Sequence, residues 1–210
     1  MKVLRFVAVA LSVAVASVTV HSSSTPVVTA RAMVVSQNAI ASNIGAEVLK
    51  AGGTAVDAAV ATAFALAVVH PTAGNIGGGG FLVYRSHAGE NVAYDFREMA
   101  PSGSSPTMFL TDGKYDANLH HNSYLSVGVP GTVAGLHLAW QEQGKLPWKR
   151  LVEPAVALAR DGFPVSEGLA RSLAGALRSM QKYPASVAQF SKNGTPYEAV
   201  AAAEAMLVEG

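Results

Sequence analysis

The sequence contains no cysteine, which removes one class of chemistry at the outset. This chain can form no disulfide, no thiolate nucleophile and no zinc–thiolate centre, and its redox compartment stays open. Charge is also scarce: Asp, Glu, Lys and Arg make up 14% of the 210 residues, against roughly 25% in average soluble domains. Because the formal net charge is only +1, electrostatics gives no reason to expect a nucleic-acid partner.

The histidines lack the spacing of a metal site. His120 and His121 are adjacent, so on a regular element their side chains should point apart, and His70, His87 and His137 are isolated in the sequence. Neither an H-E-x-x-H motif nor a G-x-S-x-G nucleophile elbow is present. We therefore expect no metal ion and no cofactor, and no nucleophile stands out.

The N-terminus combines a basic start with a short apolar run. Lys2 and Arg5 precede an uncharged stretch over Phe6–Val20, whose length of about 15 residues falls short of the roughly 20 that span a bilayer. A cleaved secretory signal is therefore favoured over an uncleaved anchor. We assign residues 1–31 to signal and linker, and expect export to the periplasm or the exterior with no membrane attachment after cleavage.

Residues 32–210 are predicted to form one domain. Hydrophobic residues make up 50% of the chain, and a chain of this length can bury a core of its own. Asn38 is placed to cap a helix over Ala39–Ala51. Thr54 and Asp57 then resemble a capping box that opens a helix over Ala55–Val69. That helix is apolar all round, which predicts burial on every side.

Weaker patterns complete the prediction. They are a buried strand over Ala32–Ser36, a loop-rich stretch over Met99–Asn122, a helix over Val133–Gln143 with Thr132 as candidate cap, a helical region over Trp148–Asp161 broken at Pro154, a helix that Ser166 caps and that runs to about Lys182, and a last helix over Ala199–Leu207.

Four consecutive glycines, Gly77–Gly80, organise the middle of the chain. Two predicted strands follow them, Phe81–Arg85 and Asn91–Arg97. Glycine is retained where a side chain would block a close approach of backbone. A phosphate cradle is disfavoured, because the P-loop Lys-Ser/Thr is absent and a strand follows where a helix should begin. Close packing of sheet against helix is the favoured interpretation.

Arg97 ends the second predicted strand and is the sharpest single candidate. A guanidinium group forms a two-pronged fork that matches a carboxylate, so Arg97 could bind a carboxylate ligand. The alternative is an ion pair with Asp95, its neighbour on the same strand face at about 7 Å between Cα atoms. Spacing alone leaves both readings open.

Beyond these patterns, the run from Val34 to Leu173 resembles the N-terminal part of γ-glutamyltransferases (γ-glutamyltranspeptidases). The matching pieces follow one order over about 140 residues, which makes a chance match far less probable than for a lone motif. They are Val34–Ser36, Lys50–Ala61, Gly77–Phe81, Asp95–Glu98, Ala100–Pro101, Gly128–Gly131, Glu153–Ala155, Ala157–Ala159 and Gly162–Val165.

The resemblance implies an α/β (α+β) chain that forms part of the αββα sandwich of N-terminal-nucleophile hydrolases. In that family a precursor cleaves itself into a large and a small subunit, and the new N-terminal threonine attacks a γ-glutamyl amide such as glutathione. Its own amine serves as the base. The γ-glutamyl group then passes to water, an amino acid or a peptide. By the same resemblance, Arg97 would hold the α-carboxylate of the substrate.

Family members run to several hundred residues, so this chain looks like a truncated large-subunit fragment. The nucleophilic threonine would lie outside it, in the missing small subunit. We expect the chain alone to be inactive, and its exposed apolar faces to favour aggregation. Two alternatives stay open: a related acylase of the same fold, such as a cephalosporin-type acylase, and a non-catalytic binding remnant.

Overall fold

The computed structural model describes residues 26–199 and the strand residues Ala205–Met206. Residues 26–32 belong to a unit separate from the rest and contain no helix or strand. Within that unit the Thr29 hydroxyl donates to the carbonyl of Ala32 at 2.8 Å. Residues 1–25, which include the whole predicted signal at Met1–Val20, lie outside the described residues, and so does most of the predicted last helix.

The second unit, from Met33 onward, contains the regular elements, which we number in chain order. The longer helices are α1 (Ala39–Lys50), α2 (Ala55–Val69), α4 (Thr132–Gln143), α5 (Trp148–Asp161) and α6 (Glu167–Met180), and the shorter ones are α3 (Ala117–Asn122) and α7 (Pro184–Phe190). The strands are β1 (Phe81–Arg85), β2 (Asn91–Asp95), β3 (Leu110–Thr111), β4 (Lys114–Tyr115), β5 (Phe163–Pro164) and β6 (Ala205–Met206).

Helix α2 forms the centre of the main core, as its all-apolar sequence predicts. Thr54 and Asp57 make both hydrogen bonds of the capping box. Val60, Ala61 and Ala65 are fully buried. Helices α1, α4 and α5 pack around α2, which is possible because its many alanines let neighbouring backbones approach closely.

Strands β1 and β2 form an antiparallel hairpin that follows the glycine run. Phe81 pairs with Asp95, and Gly80 and Phe96 exchange two further backbone hydrogen bonds of 3.4 and 3.1 Å. The inner face contributes the buried Tyr94 to the core, whereas Phe81 and Val83 on the outer face are 64% and 78% exposed. The hairpin therefore covers the helices on one side and leaves an apolar face on the other.

A second cluster of buried residues lies beside the first. It joins the end of α2 to Phe163, Val165 and the buried side of α6. Gly162 ends α5 with a φ of 81°, a conformation that favours glycine, as predicted. Ser166 caps α6 by accepting from the N–H of Leu169.

Four predicted elements differ from the structure. The second predicted strand, Asn91–Arg97, ends at Asp95. Residues 32–36 form no strand: Val35 is 80% exposed, and no described strand lies beside them to complete a hydrogen-bond ladder. Helix α5 continues through Pro154 because Leu151 and Ala155, on either side of it, are buried in the core. Ala205–Met206 is a strand paired with β5 rather than part of a helix. None of the described helices has the length and hydropathy needed to cross a bilayer.

Candidate functional site

Arg97 lies two residues beyond the end of β2, with 71% of its side chain exposed. Its Nε atom lies 3.6 Å from Oε2 of Glu98. The predicted alternative, an ion pair with Asp95, is not formed, because the Asp95 carboxylate instead accepts the backbone N–H of Arg97 at 3.0 Å. Among the described residues no acceptor hydrogen-bonds the guanidinium group of Arg97. The group is therefore available to a ligand from outside this chain.

The backbone that carries Arg97 packs closely against two glycines, Gly79 and Gly131. A Cβ atom on Gly79 would lie 2.6 Å from both the nitrogen of Glu98 and the carbonyl oxygen of Phe96. A Cβ atom on Gly131 would overlap the same Phe96 carbonyl. Any side chain at either position would displace the segment. Within the glycine run, the predicted close packing is therefore seen at Gly79, against the backbone that follows β2 rather than against a helix.

We call the glycine loop at Gly78–Gly79 and the turn at Gly131 the two walls of a clamp on the Arg97 backbone, and hydrogen bonds hold these walls together. The carbonyl oxygen of Gly78 accepts from the backbone N–H of Gly131 at 2.8 Å and of Thr132 at 3.1 Å, which ties the glycine loop to the start of α4. Met99 and Val129 exchange two backbone bonds of 3.2 and 2.8 Å. The Phe96–Met99 segment is thus held at both ends, while the Arg97 side chain projects from it.

The role of Asn75 was not predicted from the sequence. Its Oδ1 atom accepts hydrogen bonds from the N–H of Gly78 at 3.0 Å and from the hydroxyl of Thr132 at 2.6 Å. Thr132 was predicted to cap α4, but Gly131 occupies the cap position and Thr132 is the first helical residue. Its hydroxyl is buried against Asn75. A polar residue beside a glycine run was the only available signal, and it did not identify the partner.

Tyr94 links the β1–β2 hairpin to α4. Its hydroxyl donates to Oε2 of Glu142 at 2.8 Å, and its side chain is buried. Burial raises the pKa of Tyr94 above its ordinary value, and the hydrogen bond to the Glu142 carboxylate raises it further.

Asp116 organises the loop-rich segment that follows the clamp. It caps α3 by accepting the N–H of Leu119 at 2.9 Å, and it also accepts the hydroxyl of Thr111 at 2.9 Å. These two hydrogen bonds, in that order, lower the pKa of Asp116, because both stabilise the ionised carboxylate.

The histidine pair in the same segment does not behave as predicted. The rings of His120 and His121 stack at a centroid distance of 4.4 Å instead of pointing apart. The Tyr115 hydroxyl hydrogen-bonds both rings, at 2.8 Å from Nδ1 of His120 and 3.2 Å from Nε2 of His121. Over the described part of the chain, no three His, Cys, Asp or Glu side chains are grouped closely enough to hold a metal ion.

Comparison with known proteins identifies the family. A sequence profile described as Gamma-glutamyltranspeptidase matches residues 41–205. The glutathione hydrolase proenzyme of Escherichia coli K12 is 51% identical over 149 residues, which cover 70% of this chain and 26% of that protein.

Solved structures agree with the sequence match. The γ-glutamyltranspeptidase of Helicobacter pylori superposes with a TM-score of 0.81 at 42% identity, over 87% of this chain and 52% of that one. A cephalosporin acylase from Bacillus halodurans superposes with a TM-score of 0.66 at 25% identity, over 84% of this chain and 35% of that one. The fold is thus part of an N-terminal-nucleophile hydrolase, as predicted.

The chain spans about a quarter of the length of the E. coli relative and about half of the H. pylori chain. The profile nevertheless matches most of the chain, and the glycine run and the Arg97 segment lie within the match. This chain belongs to the γ-glutamyltranspeptidase family.

Proposed function

We propose that this chain forms the substrate-carboxylate half of the active site of a γ-glutamyltransferase, or glutathione hydrolase. The observation that carries the proposal is the guanidinium group of Arg97. It is exposed, it has no hydrogen-bonded acceptor among the described residues, and it stands on a backbone that two glycines hold in place. The α-carboxylate of a γ-glutamyl donor such as glutathione would accept two parallel N–H bonds from it.

The reaction requires a nucleophile that we place outside this chain. The N-terminal threonine of a small subunit from the same precursor would add its Oγ to the γ-amide carbonyl, and its hydroxyl proton would pass to its own amine. The C–N bond then breaks as the leaving amine takes that proton. Water or an amino-acid amine attacks the resulting ester and releases the threonine hydroxyl. The part played by Arg97 is to orient the donor for the first attack.

Two further aspects belong to the same proposal. Two relatives that are 51% and 43% identical to this chain are named glutathione hydrolase proenzymes, which supports a γ-glutamyl donor and a precursor that is cut. The basic and then apolar N-terminus supports export to the periplasm or the exterior. We expect no cofactor.

A second candidate is an acylase that takes a glutaryl amide. The fold likeness to the cephalosporin acylase supports it, and a glutaryl group also carries a carboxylate that Arg97 could bind. A non-catalytic binding remnant is the third candidate. Such a remnant would bind a carboxylate ligand through Arg97 without any turnover.

Kinetics of the complete polypeptide encoded by the gene separate these candidates. The substrates are γ-glutamyl anilide, glutaryl anilide, which lacks the α-amine, and 4-aminobutyryl anilide, which lacks the carboxylate. For Arg97→Ala we expect KM for γ-glutamyl anilide to rise roughly 10- to 100-fold, with its preference over 4-aminobutyryl anilide lost. Arg97→Lys should recover only part of the lost affinity for γ-glutamyl anilide, since an ammonium group cannot form the two-pronged fork.

Arg85→Ala is the matched control, because Arg85 is an exposed arginine of the same hairpin. It should leave KM unchanged. A KM that Arg97→Ala does not alter would remove Arg97 from the site, and a preference for glutaryl anilide would favour the acylase. Absence of all turnover in the complete protein would favour the binding remnant. Sustained turnover by residues 1–210 alone would contradict the external nucleophile.

A further inference from the structure

One oxygen atom of Asn75 connects two distant parts of the chain. Its Oδ1 accepts the N–H of Gly78, within the glycine loop, and the hydroxyl of Thr132, 57 residues further along at the start of α4. The amide nitrogen of Asn75 faces the carbonyl of Ala73 at 3.4 Å. This sets the orientation of the amide, so that its acceptor faces the two donors.

The two parts that Asn75 connects, the glycine loop and the start of α4, are next to the two glycines that pack against the Arg97 backbone. Gly79 and Gly131 both pack against main-chain atoms of the Phe96–Glu98 segment, and both lie close to the carbonyl oxygen of Phe96. The backbone bonds from Gly131 and Thr132 to the Gly78 carbonyl fix how close the walls come. The Asn75 bond at 2.6 Å adds a side-chain tie at the same point.

We propose that Asn75 is a positioning residue: through Gly78 and Thr132 it sets the separation of the two walls, and thereby the direction in which the Arg97 guanidinium projects. The functional half of this inference, the effect on substrate binding, rests on the proposed function of Arg97. The structural half, the effect on the Arg97 backbone, does not. Recognition of a carboxylate by a fork needs placement to roughly half an ångström. Since the Arg97 side chain is long and exposed, its backbone is the part that the fold can hold.

The structural half is tested by limited trypsin digestion, because trypsin cuts after Arg97. In the parent chain the clamped backbone should be cut slowly despite the exposed side chain. Asn75→Ala should raise the rate of cleavage at Arg97–Glu98 at least roughly fivefold at native conditions. Asn43→Ala, an exposed asparagine of α1, is the matched control and should match the parent. An unchanged rate in Asn75→Ala would overturn the proposal.

A second pair of variants removes the same tie without altering Asn75. Thr132→Val keeps the shape and removes the hydroxyl, whereas Thr132→Ser keeps the hydroxyl. The valine variant should be cut as fast as Asn75→Ala, the serine variant as slowly as the parent, and the double variant Asn75→Ala/Thr132→Val no faster than either single change. Equal rates for valine and serine would overturn the proposal even if Asn75→Ala failed to fold.

The functional half is tested in the complete enzyme. Asn75→Ala should raise KM for γ-glutamyl anilide roughly 5- to 10-fold with kcat within about twofold, and should add nothing further in an Arg97→Ala background. Faster digestion with an unchanged KM would contradict the role of Arg97 in substrate binding. Unchanged digestion would contradict the role of Asn75 instead, so the two failures are distinguishable.

Discussion

The carboxylate of Asp57, in the first turn of α2, accepts the backbone N–H of Lys145, 88 residues further along the chain, at 3.0 Å from each of its two oxygens. The same group accepts the N–H of Thr54 at 2.8 Å and of Leu146 at 3.2 Å. It is fully buried. The capping residue of the central helix therefore also anchors the connection between α4 and α5.

Asp57→Asn should destabilise the fold by about 2–4 kcal/mol, because a neutral amide presents one acceptor oxygen and an NH2 group to backbone donors. Denaturant unfolding followed by tryptophan fluorescence measures it, since Trp140 Nε1 donates to the Leu146 carbonyl at 2.8 Å in the same connection. Glu47→Gln is the control. It breaks an exposed ion pair with Lys50 and should cost no more than about 0.5 kcal/mol.

Gly135→Ala should destabilise the protein by about 1–3 kcal/mol, because the added methyl group would overlap Cβ and Cγ of Phe96 beside the clamp. Gly175→Ala is the opposite case. It lies within α6, is exposed and has open space around it, so alanine should stabilise by about 0.5–1 kcal/mol. Paired urea titrations compare them. Equal effects of the two changes would show that the packing against Phe96 is not rigid.

Tyr94 should contribute stability that is lost at alkaline pH. Its pKa is raised in the folded state, first by burial and then by the hydrogen bond to Glu142. The contribution is therefore fully present below the unfolded tyrosine pKa of about 10 and declines as pH rises through the folded pKa. Tyr94→Phe should cost about 1 kcal/mol at neutral pH, with a difference that narrows above about pH 10.

Phenolate absorbance gives a direct measurement of the Tyr94 titration as the difference between the parent and Tyr94→Phe. Glu142→Gln should lower the midpoint without returning it to the ordinary value, because burial remains. Tyr124→Phe is the control. Tyr124 is 95% exposed, so its replacement should change stability by less than about 0.5 kcal/mol. A Tyr94 midpoint below 10 would contradict the prediction.

Asp116 should show the opposite pH dependence. Its pKa is lowered by the N–H of Leu119 and then by the Thr111 hydroxyl, so its stabilisation of α3 is present above the unfolded pKa of about 4 and is lost as pH falls through the folded value. The carboxyl carbon signal in NMR should titrate below about 4. Thr111→Val should move the midpoint part of the way up, whereas Thr107→Val, in the same loop, should leave it unchanged.

The elements that the sequence predicted well are those whose signals are local. Asn38, Ser166 and the Thr54–Asp57 pair all cap the helices that they were expected to cap. The apolar periodicity of α2 likewise sufficed to identify the central helix. A cap or a buried face needs information from only a few neighbouring residues, so it can be read without a structure.

The parts that were not predicted depend on partners distant in sequence. The Thr132 hydroxyl looked like a cap, but it bonds Asn75 across 57 residues. Residues 32–36 have the composition of a strand, yet a strand also requires a partner that composition does not reveal. His120 and His121 stack because Tyr115, on the preceding strand, bonds both rings. The role of Arg97 stays a prediction from its local motif, whereas the close packing of Gly79 and Gly131 against its backbone was not predicted.

The packing around Arg97 has a consequence for how this family could diversify. Gly79 and Gly131 can pack closely here because they have no side chains, and the nearest atoms to both positions are main-chain atoms of residues 96–98. Nothing in that arrangement is specific to arginine. A single codon change at position 97 would therefore present a new chemical group along the same trajectory, and the charge preferred in a ligand could evolve without rebuilding the scaffold.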